Sequence, residues 1–309
     1  MFQLYDAHGP VEAITEDTAV TVGVFDGVHR GHKALLEQLN EESAKRKAAS
    51  LVVTLTSHPS FILGRRDSEY WLDNPEEHLR LLFAAGMKYV AVLPFTAEVA
   101  RMTACQMART MYEQLNMRSL LLGYDSRFGS KHNDDFDRLP QLASELGFGY
   151  RHGEPFQIDG EPVSSSRIRA SLTEGRVEDT AALLGRSYSI TGPVQHGRGV
   201  GHKLGFPTAN ISLDGTRKML PKEGVYSVLL SPFDSHLSPL KGIANLGAAP
   251  TFGVSKPLLE VHLLDFDGDL YGYTVEVLFR HRLRDIVRFG SLEALQHQLQ
   301  EDLKACRLL

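Results

Sequence analysis

Cysteine is scarce in this chain, which has only Cys105 and Cys306 among its 309 residues. Two cysteines so far apart in sequence cannot form a C-x-x-C metal or redox motif, and they indicate a reducing compartment. Long apolar runs are also missing, since the most apolar one, residues 89–95, is far below the ~20 residues that span a bilayer. Residues 1–17 lack a basic segment followed by an apolar one, so no signal peptide is expected. We therefore expect a cytoplasmic protein that has no membrane partner.

An excess of positive charge is absent as well. The formal net charge is −5 and the isoelectric point is about 6.2, which argues against a nucleic-acid partner recognised by bulk charge. Composition is that of a soluble globular protein, with 42% hydrophobic and 23% charged residues. Internal repeats and low-complexity segments are not seen. The length favours two domains.

The densest pattern lies between an apolar run at residues 19–22 and leucines at 35, 36 and 39 that share one helical face. It reads Gly-Val-Phe-Asp-Gly-Val-His-Arg-Gly-His over residues 23–32. A strand, a glycine-rich turn and a helix start are predicted, an arrangement whose backbone N–H groups suit phosphate. His29 and His32 are one helical turn apart, so both rings can face one phosphate, and Gly31 permits close approach of a ligand. Two ordinary surface histidines are the alternative.

Strand and helix patterns alternate through the first half of the chain. Strands are predicted near residues 19–22, 50–55, 89–93 and 119–122, and helices near 33–39, 75–85, 103–115 and 139–146. This alternation indicates a Rossmann-like parallel sheet, in which ligands bind at the carboxyl ends of strands. Three segments follow predicted strands and are therefore candidate site loops: 23–32, 56–61 and 123–129.

The second half has β-prone runs without intervening helices, at residues 187–195, 224–230, 242–246, 258–265 and 271–279. Only residues 291–306 have helical periodicity. An antiparallel barrel with a C-terminal helix is predicted. A short polar helix over residues 173–186 marks the boundary, which gives predicted domains 1–184 and 185–309.

Two further stretches favour phosphate chemistry. Residues 163–169 combine serines, which can cap a helix and donate to phosphate, with Arg169, which can neutralise pyrophosphate. Residues 197–210 hold spaced glycines and a basic residue but no Walker A motif, and Thr208 and Asn210 are neutral oxygen donors that suit Mg²⁺. The alternatives are a capped helix with solvated arginines and a glycine-rich hairpin.

Glu260 alternates with apolar neighbours on a predicted strand. A hydroxyl nucleophile gains from a base that takes its proton, and Glu260 is the candidate. On the pattern alone, an outward, solvated carboxylate is favoured.

The pattern G-x-F-D-G-x-H-x-G-H resembles the signature of HxGH nucleotidyltransferases. More closely, it is similar to the adenylyltransferase half of bacterial bifunctional riboflavin kinase/FAD synthetases. Residues 163–169 resemble that family's I-S-S-T-x-x-R signature, with Val163 and Ser166 as mild replacements. His58-Pro59 matches a family His-Pro, and residues 123–129 resemble its G-x-[DN]-F-x-F-G loop, in which Ser126 replaces the first phenylalanine.

The second half resembles the riboflavin kinase signature of the same family, with G-F-P-T-A-N intact at residues 205–210. The resemblance implies that Thr208 and Asn210 contact Mg²⁺ and ATP phosphates. It also makes Glu260 the catalytic base, because the family's glutamate lies in the same E-x-H-L-L context. Shorter matches include residues 242–247 and Leu283-Arg284.

This resemblance implies a bifunctional transferase with ATP, riboflavin and FMN as substrates, FAD as product and Mg²⁺ as cofactor. A monomer or weak homo-oligomer is expected. The residues implied in catalysis are His29, His32, Ser165, Arg169 and Glu260. Those implied in binding ATP or its phosphates are Gly23, Phe25, Asp26, Gly27, Gly31, Ser164, Ser166, Arg167, Gly199, Gly201, Lys203, Gly205 and Pro207. Those implied in binding flavin are His58, Phe61, Asp125, Phe128 and Arg284, with core packing as the alternative for Phe61.

Three other functions stay open. One is a kinase whose adenylyl half is weakened around Ser126. A second is a flavin-binding regulator without turnover, against which the intact set of candidate catalytic residues argues. A third is an adenylyltransferase for another phosphorylated substrate, which would leave the kinase half without a purpose.

Overall fold

The computed structural model describes residues 1–55, 70–130, 135–196, 205–232, 238–249 and 254–309. The chain divides into two units, Met1–Ser165 and Ser166–Leu309. Within the described residues, no helix combines the length and apolar character needed to cross a membrane. The predicted boundary after residue 184 stays a prediction. In the structure, residues 166–184 belong to the second unit.

The first unit is built on a seven-stranded sheet in the order β2-β1-β5-β4-β3-β6-β7. Its strands are β1 (Gln3–Asp6), β2 (Gly9–Val11), β3 (Thr18–Val22), β4 (Ala49–Leu55), β5 (Tyr89–Leu93), β6 (Met117–Leu122) and β7 (Gly149–His152). β3 to β7 are parallel. The parallel arrangement of β3 to β6 was predicted, whereas β7 was not. A small pair, β8 (Gln157–Ile158) and β9 (Glu161–Pro162), follows β7.

The edge of this sheet differs from the parallel prediction. β1 runs antiparallel to both β2 and β5. A tight turn joins β1 to β2, in which the Asp6 carboxylate accepts the N–H groups of His8 and Gly9. Antiparallel strands can be joined by such a turn without a crossover helix. The alternation of helices and strands in the sequence therefore does not reveal β1 and β2.

Helices cover both faces of the sheet. They are α1 (Arg30–Arg46), α2 (Pro75–Ala84), α3 (Ala104–Gln114) and α4 (Leu139–Leu146). Leu36 of α1 and Leu82 of α2 belong to one buried cluster, whereas Met111 of α3 and Leu142 of α4 belong to the other. Each helix buries its apolar stripe on the sheet, which gives a three-layer α/β unit.

Strand order reverses at β3, which lies between β4 and β6. In doubly wound sheets, ligands bind in the crevice at the carboxyl ends of the strands where the order reverses. The turn after β3 and the loop after β6 therefore lie at neighbouring strand ends. The segment after β4, residues 56–69, is outside the described residues.

The second unit contains a closed barrel in the order β10-β11-β14-β13-β12-β15. Its elements are α5 (Ser165–Glu174), which begins at the last residue of the first unit, α6 (Val177–Leu184), β10 (Tyr188–Gln195), β11 (Ala209–Ile211), β12 (Gly224–Pro232), β13 (Leu240–Ala249), β14 (Val254–Leu263), β15 (Thr274–Arg284) and α7 (Leu292–Leu308). Each pairing in the barrel is antiparallel, as predicted.

Three helices pack on this barrel. The N–H of Lys222 donates to the Leu172 carbonyl of α5 at 2.8 Å, and Glu178 of α6 contacts the His281 ring of β15 at 3.2 Å. Cys306 of α7 packs with Val225 and Ile243 in a small buried cluster. α7 therefore covers part of the barrel wall, while the barrel closes through its own strands.

Candidate active sites

The turn after β3 has unusual backbone geometry. Phe25 has φ +53° and Val28 has φ +35°, values in the left-handed region that bulky residues rarely adopt, and Gly27 has φ +84°. A Cβ on Gly23 would come within 2.9 Å of the Phe25 ring. The glycines at 23 and 27 thus permit a turn that reaches the start of α1 within a few residues.

His29 is the N-cap of α1. Its Nδ1 accepts the backbone N–H of His32 at 3.2 Å, and its side chain is buried. Capping through Nδ1 fixes the ring and leaves Nε2 as its remaining polar atom. The alternative of an ordinary surface histidine does not fit a ring that is only 3% exposed.

The rings of His29 and His32 stack, with centroids 3.5 Å apart and an angle of 18° between their planes. Phe25 packs edge-on against the His32 ring at 5.1 Å. Burial lowers the pKa of His32 well below its ordinary value, and the nearby His29 and His78 lower it further. His32 is therefore neutral at neutral pH and offers a hydrogen bond, not a positive charge.

Packing within the protein, as well as the approach of a ligand, favours glycine at position 31. A Cβ on Gly31 would lie 2.8 Å from the carbonyl oxygen of Val163 and 3.2 Å from the His29 ring. The first turn of α1 therefore packs directly on the chain segment that leads into α5. Ser165, the first residue of α5, donates its hydroxyl to the Asp26 carbonyl at 2.9 Å. Val163 and Ser165, which open the second signature, thus contact the first signature within the first unit.

The remaining residues of the second signature lie beside Ser165. Ser164 directly precedes α5, and Ser166, Arg167 and Arg169 belong to its first turns. The helix begins where the serine-rich pattern predicted. Their contacts with phosphate stay predictions.

The loop after β6 is held by His152, whose Nδ1 donates to the Gly123 carbonyl at 2.9 Å. Phe128 is half-buried and packs edge-on against Phe136 at 5.8 Å, and Asp125 is exposed. Ser126, the departure from the family pattern, donates its N–H to the Gly123 carbonyl and places its hydroxyl against that glycine. Flavin contacts of Asp125 and Phe128 stay predictions. His58 and Phe61 lie outside the described residues, as do Gly199, Gly201 and Lys203.

A row of polar residues crosses three strands of the barrel. Asn210 of β11 is the register partner of Glu260 in β14, and Asn245 of β13 is the partner on its other side. Directly opposed residues share a face of the sheet, so the three side chains are neighbours. Leu259 and Val261 alternate with Glu260 and are fully buried, whereas Glu260 lies on the other face and is half-buried. The role of Glu260 as a base stays a prediction, and so does the alternative of a solvated carboxylate.

The G-F-P-T-A-N segment is anchored beside this row. His262, two residues after Glu260, donates Nδ1–H to the Pro207 carbonyl at 2.8 Å and packs edge-on against Phe206. Gly205 has φ +79°, a left-handed value that favours glycine. A cavity of about 330 Å³ opens here, lined by Pro207, His262, Asp265, Phe266, Leu303 and Arg307 among others. The segment therefore leads into β11, where Asn210 lies opposite Glu260, and the contacts of Thr208 stay a prediction.

Arg284 makes contacts that the sequence did not predict. Its guanidinium binds Asp302 of α7 through Nε at 2.9 and 3.1 Å and through Nη2 at 2.7 Å. Nη1 donates to the Asp285 carbonyl at 3.0 Å. All three guanidinium nitrogens are engaged within the protein, so the structure gives Arg284 an anchoring role, and its flavin contact stays a prediction.

Three residues near these sites were missed as site residues by the sequence reasoning. His262 lies two residues after Glu260 on the same strand, so the period-2 pattern was a usable signal for it, whereas Asn245 meets Glu260 only through strand register. His78 gives no signal in the sequence, because its contact with Thr54, 24 residues earlier in the chain, exists only in the folded structure. Within the part of the chain that the structure describes, no cluster of three or more His, Cys, Asp or Glu side chains could hold a metal.

Comparison with known proteins divides the chain in two. A family model described as FAD synthetase matches residues 11–167, and one described as riboflavin kinase matches residues 184–309. The bifunctional riboflavin kinase/FMN adenylyltransferase of Escherichia coli (strain K12) is 36% identical over 296 residues, covering 96% of this chain and 93% of that protein. The corresponding protein of Haemophilus influenzae is 32% identical over 295 residues, covering 95% and 94%.

A solved structure is also similar. The crystal structure of a protein described as a macrolide-efflux protein from Streptococcus pneumoniae has a TM-score of 0.87 and 29% sequence identity, and the match covers 96% of each chain. The description as an efflux protein applies to the Streptococcus pneumoniae protein. The similarity to this chain concerns the folds of both units.

Proposed function

The chain belongs to the family of bifunctional riboflavin kinases/FMN adenylyltransferases, and from this premise we propose that it makes FAD from riboflavin in two steps. The second unit phosphorylates riboflavin with ATP, and the first unit transfers AMP from a second ATP to the resulting FMN. The main support is that each unit holds its own candidate site, one at His29 and His32 and one at Glu260 and Asn210.

In the adenylyl step, a phosphate oxygen of FMN attacks the α-phosphorus of ATP, and the bond between that phosphorus and pyrophosphate breaks. The phosphate is already ionised, so the step needs no general base and depends on positioning and charge stabilisation. The capped start of α1 offers its N–H groups and the imidazole of His29 to the triphosphate. Neutral His32 adds a hydrogen bond.

Positive charge for the leaving pyrophosphate comes in this proposal from the second signature. Arg167 and Arg169 follow Ser165 on α5, and a guanidinium binds phosphate oxygens in a bidentate manner. Ser164, Ser165 and Ser166 offer hydroxyl groups at the helix start. The start of α1 with His29 and His32 thus positions the triphosphate, and the arginines supply positive charge for the leaving pyrophosphate.

In the kinase step, Glu260 takes the proton of the riboflavin 5′-hydroxyl. The 5′-oxygen of riboflavin attacks the γ-phosphorus of ATP, and ADP leaves. The register of β11, β14 and β13 supports this role, because it flanks the carboxylate with the amides of Asn210 and Asn245. Both amides can donate to Glu260 and hold it toward the hydroxyl.

The residues around Glu260 fit Mg²⁺. Thr208 and Asn210 supply neutral oxygens, and the Glu260 carboxylate lies opposite Asn210, a donor set that suits a cation which keeps several waters and binds substrate phosphates. Bound Mg²⁺ would neutralise charge on the ATP phosphates. Thr208 and Asn210 would hold it there.

The proposal also includes the location of the protein in the cell and its oligomeric state. We propose a cytoplasmic location, which the sparse and separated cysteines support. We also propose a monomer or weak homo-oligomer, which sedimentation velocity across a range of concentrations would test.

The test is a chromatographic assay of the full chain with ATP and Mg²⁺, run once with riboflavin and once with FMN. Wild-type protein should convert riboflavin to FMN and then FAD, and FMN to FAD. His29→Asn keeps a capping acceptor but removes the imidazole, so FAD formation should fall by about 10²-fold or more while FMN formation persists. Glu260→Gln should lower FMN formation by about 10²–10⁴-fold and spare the conversion of FMN to FAD.

Matched controls are His8→Asn and Glu113→Gln, which change exposed residues of the same types. Both should keep wild-type rates. If FMN accumulates without FAD, the protein is a riboflavin kinase without FMN adenylyltransferase activity. If flavin binds and no product forms, the protein is a flavin-binding regulator. If His29→Asn and Glu260→Gln each impaired both steps in folded protein, the assignment of the two sites would be wrong.

A further inference from the structure

Three side chains behind the turn after β3 form a hydrogen-bonded chain that contacts the turn at two points. We call Thr54, His78 and Asp73 the turn brace. Thr54 Oγ1 lies 3.0 Å from the Val24 carbonyl oxygen and 3.1 Å from His78 Nε2. His78 Nδ1 lies 3.1 Å from Asp73 Oδ2, and the same oxygen accepts the N–H of Gly27 at 3.1 Å. All three side chains of the brace are buried.

The protons of the turn brace can be assigned from its contacts. A carbonyl oxygen only accepts, so the single hydroxyl proton of Thr54 goes to Val24. The Thr54 oxygen must then accept Nε2–H of His78. The contact between His78 Nδ1 and Asp73 Oδ2 holds one more proton, because two lone pairs would repel each other. The hydrogen-bond pattern thus has His78 donating at both ends and Asp73 Oδ2 accepting from His78 and from Gly27.

This arrangement holds a strained piece of backbone. Phe25 and Val28 adopt left-handed φ values, which are strained for residues other than glycine and persist only where the surroundings fix them. The turn brace fixes the Val24 carbonyl on one side of Phe25 and the Gly27 N–H directly before Val28. The segment that carries Asp73 makes a further bond, from the Leu72 N–H to Asp26 Oδ1 at 2.8 Å.

The turn brace also acts on the site electrostatically. His78 is one of the groups that lower the pKa of His32, after burial and His29. His78 thus adds to the effects of burial and of His29 on the stacked His32 ring. None of the three brace side chains needs to touch a substrate for either effect.

We propose that Asp73 and His78, joined to the turn through Thr54, are positioning residues for adenylyl transfer. The proposal rests on the function proposed above for the first unit. It states that the turn brace sets the orientation of His29 and of the first N–H groups of α1. Misplacement of reacting groups by about 1 Å can cost 10²-fold in rate, so the expected effect falls on kcat.

The test uses paired variants of the full chain. Thr54→Val removes the hydroxyl at nearly constant volume, and Thr54→Ser keeps it. His78→Gln removes the charge and cannot donate at both ends, whereas His78→Lys keeps a charge and three donors. We expect Thr54→Val and His78→Gln to lower kcat for FAD formation by about 10- to 100-fold with the KM for FMN within about twofold. Thr54→Ser and His78→Lys should recover most of the loss, and riboflavin phosphorylation should stay unchanged in all four.

A wild-type kcat in folded His78→Gln would overturn the proposal, as would equal losses in Thr54→Val and Thr54→Ser. The proton assignment has its own readout, a nitrogen-15 spectrum of the histidine rings in wild-type protein, with the His78 signals identified by their loss in His78→Gln. Both ring nitrogens of His78 should carry protons at neutral pH, and an unprotonated ring nitrogen would contradict the turn brace. Wild-type protein that made no FAD would instead refute the proposed function, and the ring spectrum would then decide on the brace alone.

Discussion

His29 and His32 are bound to each other twice, through a backbone cap and through a ring stack. Nδ1 of His29 accepts the N–H of His32, and the two ring centroids are 3.5 Å apart. The pair therefore behaves as one rigid unit at the start of α1, with one ring fixed by its cap and the other kept neutral.

This relationship predicts a loss of stability at mildly acid pH. The pKa of His32 is lowered from its ordinary value of 6.5, so the unfolded chain binds a proton that the folded chain refuses. The stabilising contribution is present above about 6.5 and is lost as pH falls through the folded-state pKa. Urea unfolding followed between pH 7.5 and 5 should show the free energy of unfolding falling by at most about 1.4 kcal/mol per pH unit from this group.

His32→Asn is the comparison for that experiment, because it removes the titrating ring and keeps a polar side chain. Its free energy of unfolding should depend less on pH over the same range. An identical pH dependence in wild type and His32→Asn would show that other groups cause the acid sensitivity.

Arg284 and Asp302 support a second prediction, on the attachment of α7. The side chains of this ion pair are 20% and 4% exposed, so removal of one partner leaves a nearly buried charge. Arg284→Gln should lower the free energy of unfolding by about 3 kcal/mol, measured by urea titration of the full chain. Arg307→Gln is the matched control, because its pair with Asp265 is largely exposed, and its effect should stay within about 0.5 kcal/mol.

The same pair of variants tests the predicted flavin contact of Arg284. If Arg284 is only an anchor, the KM for riboflavin of folded Arg284→Gln stays near the wild-type value. A raised KM with an unchanged free energy of unfolding would support the flavin contact and contradict the anchor.

The two thiols are expected to be unreactive. Burial, together with the hydrogen bond to Asp135, raises the pKa of Cys105 from 9.0 to about 11, and Cys306 is fully buried against Ser227. A rise of this size lowers the thiolate fraction of Cys105 by about 100-fold below pH 9. Alkylation by iodoacetamide at pH 8, followed by peptide mass mapping, should label neither cysteine rapidly in folded protein and both in urea. Rapid labelling of Cys105 in folded protein would contradict the assigned pKa.

The sequence was sufficient to predict the strand–turn–helix around Gly23 and the barrel strand that carries Glu260. In both places the local pattern and the tertiary fold agree, since the apolar residues alternate or recur at the spacing that the structure buries. Helix starts at Asn74 and Thr103 were likewise predictable, because their caps are made by neighbours in sequence.

What could not be predicted rests on contacts between residues distant in sequence. β11 is three residues long, too short for a periodic signal, yet it sets Asn210 opposite Glu260. The partner of Arg284 is 18 residues further along the chain, and Thr54 and Gly27 meet His78 and Asp73 only because β3, β4 and α2 are packed side by side. Register and packing, not local pattern, create these sites.

A last prediction concerns Gly31, which the sequence reasoning explained by ligand approach. Alanine in a helix is ordinarily more stable than glycine by up to about 1 kcal/mol. Here the added Cβ would lie 2.8 Å from the Val163 carbonyl and 3.2 Å from the His29 ring, so backbone must move. Gly31→Ala should therefore lower the free energy of unfolding by about 1–3 kcal/mol, opposite in sign to the helix propensity.

The displaced backbone in Gly31→Ala leads directly into Ser165, and the displaced ring is that of His29. FAD formation should therefore fall while riboflavin phosphorylation by the second unit persists, which the two-substrate assay measures in one preparation. Gly290→Ala, where nothing lies within 4 Å of the added Cβ, is the control and should leave both rates and stability unchanged. If Gly31→Ala were more stable than wild type and made FAD at the wild-type rate, the contact between α1 and the segment before α5 would not be required by the adenylyl site.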